Sequence, residues 1–213
     1  MAKVRVKICG ITNWTDARRA AEAGADFLGF NFWRPSPRYV RPAGARRIVR
    51  RLPRGVRTVG VFVNESEEKM LQIARAVGLD YIQLHGDESP QAVARLSRSL
   101  PVIKMVPVRK LFRPAHLAAF RRASALLLDV FDRRARGGTG KTLDWQVARR
   151  AAKRNRIFLA GGLTPENVAA AIRAVRPYAV DVCSGVEARP RRKDDARVKA
   201  LMRAVRETPK RKP

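Results

Sequence analysis

Histidine and cysteine are scarce, with two of each in 213 residues. His85 and His116 lie far in sequence from Cys9 and Cys183, so no Cys/His grouping has zinc spacing and no metal site is expected. Two thiols also make no disulfide framework. Long hydrophobic runs are missing: no stretch reaches the roughly 18 apolar residues of a membrane span. The amino-terminal "MAKVRVKICG" carries basic residues without the apolar core and small-residue cleavage site of a secretory leader. A cytoplasmic protein without a membrane partner is expected. Acidic residues are few as well, and 46 Lys plus Arg against 18 Asp plus Glu gives 46 − 18 = +28. Such a balance brings anionic partners, nucleic acid included, into consideration. The basic residues, however, are spread over almost every helical segment ("ARRIVRRL", "VARRAAKRNR") instead of forming one stripe with aromatics between them. A solvated basic surface is the simpler reading, and specific nucleic-acid binding is not expected.

What is present is a regular alternation. Apolar runs of strand length recur as "VRVKICG", "DFLGFNF", "TVGVFV", "DYIQLH", "PVIKMV", "ALLLDVF", "IFLAGG" and "AVDVCSG". Between them lie segments of helical spacing such as "WTDARRAAEAG", "SEEKMLQIARAVG", "SPQAVARL" and "TPENVAAAIRAV". Ser89 before Pro90 and Thr164 before Pro165 supply a capping hydroxyl and a first-turn proline, while Gly24 and Gly78 stand where helices should end. Strand then helix, about eight times, predicts a (β/α)8 barrel: one domain over residues 1–206, with 207–213 ("TPKRKP" within it) as a frayed basic tail. An open doubly wound sheet is the alternative, because periodicity does not show closure.

Side chains alternate across a strand. In "VRVKIC" the residues Val4, Val6 and Ile8 share the helix-facing side, and Arg5, Lys7 and Cys9 the inner side. The same parity places Gln83 and His85 inward, Asp181 with Cys183 inward, and Lys104 inward with Val102. Most of these polar groups fall near the carboxyl ends of strands, the rim where barrel enzymes assemble their sites.

The blocks "VKICGIT", "GADFLGFNFWRPSPRYV", "VGVFVNES", "IQLHGDES", "LLLDVFDRRARGGTGKTLDW", "LAGGLTPENV" and "VDVCSGVE" occur in an order that resembles the phosphoribosylanthranilate isomerase family of tryptophan biosynthesis, over nearly the whole chain. The resemblance implies a single-domain TIM barrel with a closed parallel sheet of eight strands. It implies an Amadori rearrangement of N-(5-phosphoribosyl)anthranilate to an open-chain aminoketose, with no cofactor and no metal. By resemblance Asp129 is the acid that protonates the ring oxygen, and Cys9 the base that removes the C2 proton. A free thiol, with pKa about 8.5, needs help to become a thiolate, and inward Lys7 offers it; an unperturbed aspartic acid, with pKa about 3.9, needs desolvation to keep its proton. Read from its surroundings alone, Cys9 could equally be a small buried hydrophobe, and Asp129 a cap or salt-bridge partner.

Gly161, Gly162, Ser184 and Gly185, after the seventh and eighth strands, are phosphate-binding candidates, since glycines let backbone amides approach an anion. Arg38 resembles the family residue that meets the anthranilate carboxylate, a task suited to a planar guanidinium. Gln83, His85, Lys141 and Asp181 are further candidates for substrate contact; a polar network within the mouth is the alternative for Gln83 and His85. The stretch "ARGGTGKT" resembles a phosphate-binding loop, but Ala135 stands where that pattern asks for glycine. It reads as a lid after the sixth strand, hinged at Gly137, Gly138 and Gly140. The chain departs from the family at "PRRKD", Pro190 to Asp194, where Arg191 replaces a glycine and leaves the loop geometry open. Cys183 reads as a structural thiol. A small phosphorylated substrate and a monomer or homodimer are the expected partners. Other readings are the related histidine-pathway sugar-phosphate isomerase, which Cys9 argues against, a nucleic-acid-binding protein on a barrel scaffold, and a nucleotide hydrolase using "GGTGKT".

Overall fold

The computed structural model describes residues 3–108, 113–129 and 145–208. Eight parallel strands close in sequence order: β1 (Arg5–Ile8), β2 (Phe27–Asn31), β3 (Arg57–Phe62), β4 (Tyr81–Leu84), β5 (Val102–Pro107), β6 (Ala125–Asp129), β7 (Ile157–Ala160) and β8 (Ala179–Val182). Pairing of Lys7 with Asp181 and Ile8 with Val182 seals β1 to β8, so the barrel, not the open sheet, is correct. Helices α1 (Trp14–Glu22), α2 (Pro42–Val49), α3 (Glu67–Val77), α4 (Pro90–Leu96), α5 (Trp145–Ala152) and α6 (Val168–Val175) surround it. Between β5 and β6 a 3-10 helix (Pro114–Phe120) stands where a regular α-helix was expected. After β8 come a short 3-10 turn (Ser184–Val186), a hairpin of β9 (Glu187–Arg189) with β10 (Arg192–Lys193), and α7 (Asp195–Glu207). Glu207, the first residue of the expected tail, is therefore helical; Thr208 beside it is buried and donates to the Ala204 carbonyl at 2.6 Å. Residues 209–213 lie outside the described residues. Among the described residues no helix is long and apolar enough to cross a membrane.

Local chemistry explains several of the turns. Gly24 and Gly78 both have positive φ (95° and 84°), and each is followed two residues later by an aspartate that immediately precedes the next strand. Asp26 accepts the Val6 amide at 2.8 Å, and Asp80 accepts the Thr58 amide at 2.8 Å. Each helix thus ends in a left-handed residue that frees the chain to return, and the carboxylate pins it to the preceding strand. Ser89 caps α4 as expected, accepting from Ala92. Thr164 does not cap α6 by its hydroxyl; the helix begins at Val168, and Asn167 takes the Thr164 amide at 2.9 Å while donating to the Gly162 carbonyl at 2.9 Å.

The strands bury two apolar shells. Ile8, Leu28, Ile82, Leu84 and Leu126 face the helices, and Phe27, Val59, Ile103, Leu127 and Phe158 fill the barrel. The lower end is closed by aromatics: Phe27 meets Tyr81 and Phe158 edge-on at 5.7 and 5.2 Å, and Arg5 lies over Tyr178 at 5.1 Å. Inward parity holds for β1, β4 and β8 but fails for β5. Ile103 and Met105 point in, so Val102 and Lys104 point out. Apart from Lys104, "PVIKMV" is apolar on both faces, and the lysine marked as inner the face that in fact meets the helix side. Lys104 instead reaches the β4–α4 loop, donating to the Gly86 carbonyl at 2.6 Å and to Glu88 at 2.8 Å. Glu88 also accepts the amides of Asn64 (2.9 Å) and Gly86. Both charged groups are buried, and loss of one leaves the other without its counter-charge. Glu88→Ala is expected to cost about 3–5 kcal/mol of stability, whereas a surface pair such as Arg18–Glu22 should contribute under about 1 kcal/mol. Urea unfolding of Glu88→Ala and Glu22→Ala measures the difference.

Candidate active site

At the carboxyl ends of the strands a cavity of about 490 Å³ opens. Cys9, Arg38, Gln83, His85, Asp129, Gly161, Gly162, Asp181, Ser184 and Gly185 all line it. Of the candidates read from sequence, only Lys141 is missing; it lies outside the described residues, with the "ARGGTGKT" stretch and its lid reading. Among the described residues no group of three or more His, Cys, Asp or Glu could hold a metal ion.

The floor is electrostatic. Lys7 is fully buried, and its ammonium donates to Asp181 Oδ2 at 2.8 Å. Burial opposes the charge, but Asp181 and Cys9 outweigh it and hold Lys7 protonated far above its usual range. Gly29 on β2 makes room: a Cβ there would stand 2.7 Å from Cys9 Sγ and 3.1 Å from Lys7 Nζ. The thiol and the ammonium thus crowd over one glycine. Cys9 is lowered from its ordinary value chiefly by a hydrogen bond from the Cys183 thiol, with the Lys7 charge adding to it against burial. Cys183 is pushed the opposite way, first by that same bond and then by burial. Cys183, read as a structural thiol, also lines the cavity.

Higher up, Gln83 Nε2 lies 3.0 Å from His85 Nδ1, and burial followed by the nearby Lys7 charge keeps His85 below the ordinary imidazole value. Gln83 Oε1 and Asp181 Oδ1 are buried acceptors with no partner among the described residues. Asp129, at the end of β6, is half-buried at the rim. Beyond β7 and β8 the two glycine loops touch. Gly161 and Gly162 have positive φ (96° and 65°), and a Cβ on Gly185 would collide with the Leu163 carbonyl.

Arg38 enters from the β2–α2 loop. Asn31 braces that loop, donating to Ser36 Oγ at 3.1 Å and accepting the Trp33 amide at 2.9 Å, and Ser36 Oγ accepts the Arg38 amide at 3.1 Å. Gly10, with φ 76°, lets the arginine stem pass: a Cβ there would stand 2.7 Å from Arg38 Cδ. Sequence reading missed Asn31, Trp33, Ser36 and Glu187. "NFWRPSPRYV" and "SGVE" contain all four, but only the folded loops show their use.

The fold and its rim define a barrel enzyme with a thiol, a carboxyl group and a glycine-containing loop pair around one cavity. The profile of the N-(5'phosphoribosyl)anthranilate (PRA) isomerase family matches residues 6–204. The N-(5'-phosphoribosyl)anthranilate isomerase of Pelobacter propionicus is 50% identical over 96% of this chain and 97% of its own length. That of Moorella thermoacetica is 50% identical over 95% of this chain and 90% of its own. Among solved structures, phosphoribosyl anthranilate isomerase from Thermotoga maritima superimposes with a TM-score of 0.86 at 44% identity, covering 95% of this chain and 98% of that one. Another, solved with reduced 1-(o-carboxyphenylamino)-1-deoxyribulose 5-phosphate, gives 0.84 at 42% identity over 95% and 98%. The chain belongs to the phosphoribosylanthranilate isomerase family.

The Cys9–Lys7–Cys183 cluster makes a checkable prediction. Because Cys9 is lowered and Cys183 raised, alkylation of Cys9 should climb with pH and level off below the free-thiol value of about 8.5, while Cys183 reacts only above it. Mass spectrometry of iodoacetamide adducts across pH 5–10 separates the two (roughly this range brackets both thiols).

Proposed function

We infer that this protein isomerises N-(5'-phosphoribosyl)anthranilate to 1-(o-carboxyphenylamino)-1-deoxyribulose 5-phosphate in tryptophan biosynthesis. Family membership supports the reaction. The observation that carries the chemistry is a lowered thiol and a carboxyl group lining the same cavity, with a glycine-lined loop pair beside them. The roles of the individual residues are our assignment.

Asp129, in its acid form, gives a proton to the furanose ring oxygen; the bond from that oxygen to C1 breaks, and nitrogen lone-pair density forms the C1=N Schiff base. The Cys9 thiolate then takes the C2 proton, and the electrons of that C–H bond move to quench the iminium charge. The resulting enol amine gains a proton at C1 and loses its enol proton to become the aminoketose. Lys7 favours the thiolate before the transfer, and Asp181 balances Lys7 so that no isolated charge is buried. Backbone amides of the Gly161–Gly162 and Ser184–Gly185 loops suit a phosphate dianion, and the Arg38 fork suits the anthranilate carboxylate. Gln83, His85 and the free Asp181 oxygen offer polar contacts for ribose hydroxyls. A relative from T. maritima solved as generated monomers of a dimeric enzyme supports monomer or homodimer as the assembly. A cytoplasmic setting fits a biosynthetic isomerase of this family.

Freshly prepared phosphoribosylanthranilate should be consumed by the purified protein, read as loss of its fluorescence. Cys9→Ser should lower turnover roughly 100-fold or more, because a hydroxyl of similar size is far less acidic, and Asp129→Asn should do similar damage, because an amide has no proton to give the ring oxygen. Both variants should still bind the reduced product analogue. Near-normal turnover by Cys9→Ser would remove the thiol from the mechanism.

A further inference from the structure

Arg38 is held by a group that the proposed chemistry leaves unused. Its Nε donates to Glu187 Oε1 at 2.9 Å and Oε2 at 3.2 Å, and its Nη2 donates to Glu187 Oε2 at 2.6 Å. One edge of the guanidinium is thereby filled, and Nη1 with the second Nη2 proton is left on the other. The Glu187 side chain is only 4% exposed, and it also receives Lys193 Nζ at 3.1 Å. Lys193, itself buried, continues to the Cys183 carbonyl at 3.0 Å. Burial alone would raise Glu187, but Arg38 and Lys193 hold it below the usual carboxyl range.

The charges Lys193, Glu187 and Arg38 sum to one positive. That is the charge a single carboxylate needs opposite it, and it is exposed to the cavity only through Arg38, whose side chain is 22% exposed. The hairpin reinforces the arrangement. Arg191 has φ 73°, the left-handed region that favours glycine, at a strain of about 1–3 kcal/mol. Its carbonyl accepts from Thr12 Oγ1 at 3.1 Å, and its Nη1 reaches the carbonyls of Pro37 (3.4 Å) and Tyr39 (3.3 Å), the residues on either side of Arg38. The departure from the family glycine is therefore accommodated by a β9–β10 hairpin that grips the Arg38 loop from outside while Glu187 grips its head from within.

We propose that Glu187, neutralised by Lys193, is a positioning residue that fixes Arg38 with its free edge toward the ligand carboxylate, and that this ion ladder sets the preference for a carboxylated aromatic amine. The proposal rests on the reading of Arg38 as the carboxylate contact. A long arginine left free would lose its rotamers on binding; one already clamped at Nε and Nη2 does not. Lys193 prevents the opposite error, since an unneutralised Glu187 would cancel the attraction of Arg38 for a second anion.

The test compares two probes by calorimetric titration: the reduced product analogue bearing the o-carboxyphenylamino group, and its phenylamino counterpart without the carboxylate. In the unaltered protein the carboxylated probe binds more tightly. Arg38→Met is expected to abolish that preference. Glu187→Gln and Lys193→Met are each expected to reduce it roughly tenfold, the worth of one charge-assisted hydrogen bond, with the affinity for the phenylamino probe changing less than about twofold. In turnover assays KM should rise more than kcat falls for both. If Arg38→Met removes the preference and Glu187→Gln and Lys193→Met leave it whole, the positioning role is overturned while the Arg38 assignment stands. If either of the latter variants loses both probes alike, its residue is only a structural tie and the proposal fails for it. If Arg38→Met itself keeps the preference, the carboxylate assignment falls and the proposal with it.

Discussion

A fully buried ammonium in the middle of a barrel is the constraint around which this site is arranged. Lys7 has no exposed surface, so its charge has to be answered within the protein, and Asp181 does so from the neighbouring strand. That requirement fixes the β1–β8 register, because the pair meets only when Lys7 lies beside Asp181. The same register carries Cys9 and Cys183 to adjacent inward positions one step higher, with the Cys9 amide bonded to the Val182 carbonyl at 2.9 Å. Closure of the barrel and the lowering of the Cys9 thiol thus share one strand register. Gly29 completes it from the other side by leaving out the carbon that would otherwise stand against both sulfur and ammonium.

The parts legible in the sequence were those where polar residues interrupt one face of a strand. "VRVKIC" and "AVDVCSG" have apolar residues on the outer face and charged or thiol residues on the inner face, so their parity survived into three dimensions. Strand β5 carried the same signal in Lys104, but there it pointed the wrong way: Lys104 serves a loop from the helix side. The eight strand segments were visible because each is a short apolar run between turn signals. The 3-10 helix after β5 was not, since "PAHLAAF" has the composition of an ordinary helix. Motif order located Cys9, Asp129, Arg38 and the glycine loops. The support of Arg38 stayed hidden because Glu187 and Arg38 are 149 residues apart, and nothing local to either marks the other as its partner.

The excess of positive charge bears on this division of labour. With 46 Lys plus Arg and 18 Asp plus Glu, a carboxylate is the rarer resource, and the structure uses several of them for anchoring. Asp26 and Asp80 pin helix ends to strands, and Asp16 accepts the Lys193 amide at 3.0 Å and so docks the hairpin against α1. Glu88 gathers a loop around Lys104, Asp194 caps α7, and Asp181 and Glu187 neutralise the cations beneath and beside the cavity. Removing any of these would free a backbone amide or strand a buried cation, which costs more than losing an exposed ion pair. The exposed arginines face the opposite condition: their heads reach water, and salt screens their mutual repulsion beyond about 10 Å. Positive charge could therefore accumulate over the helices without disturbing Lys7, Arg38 and Lys193, because each of these three has a carboxylate within 3.1 Å that distant surface charge does not displace.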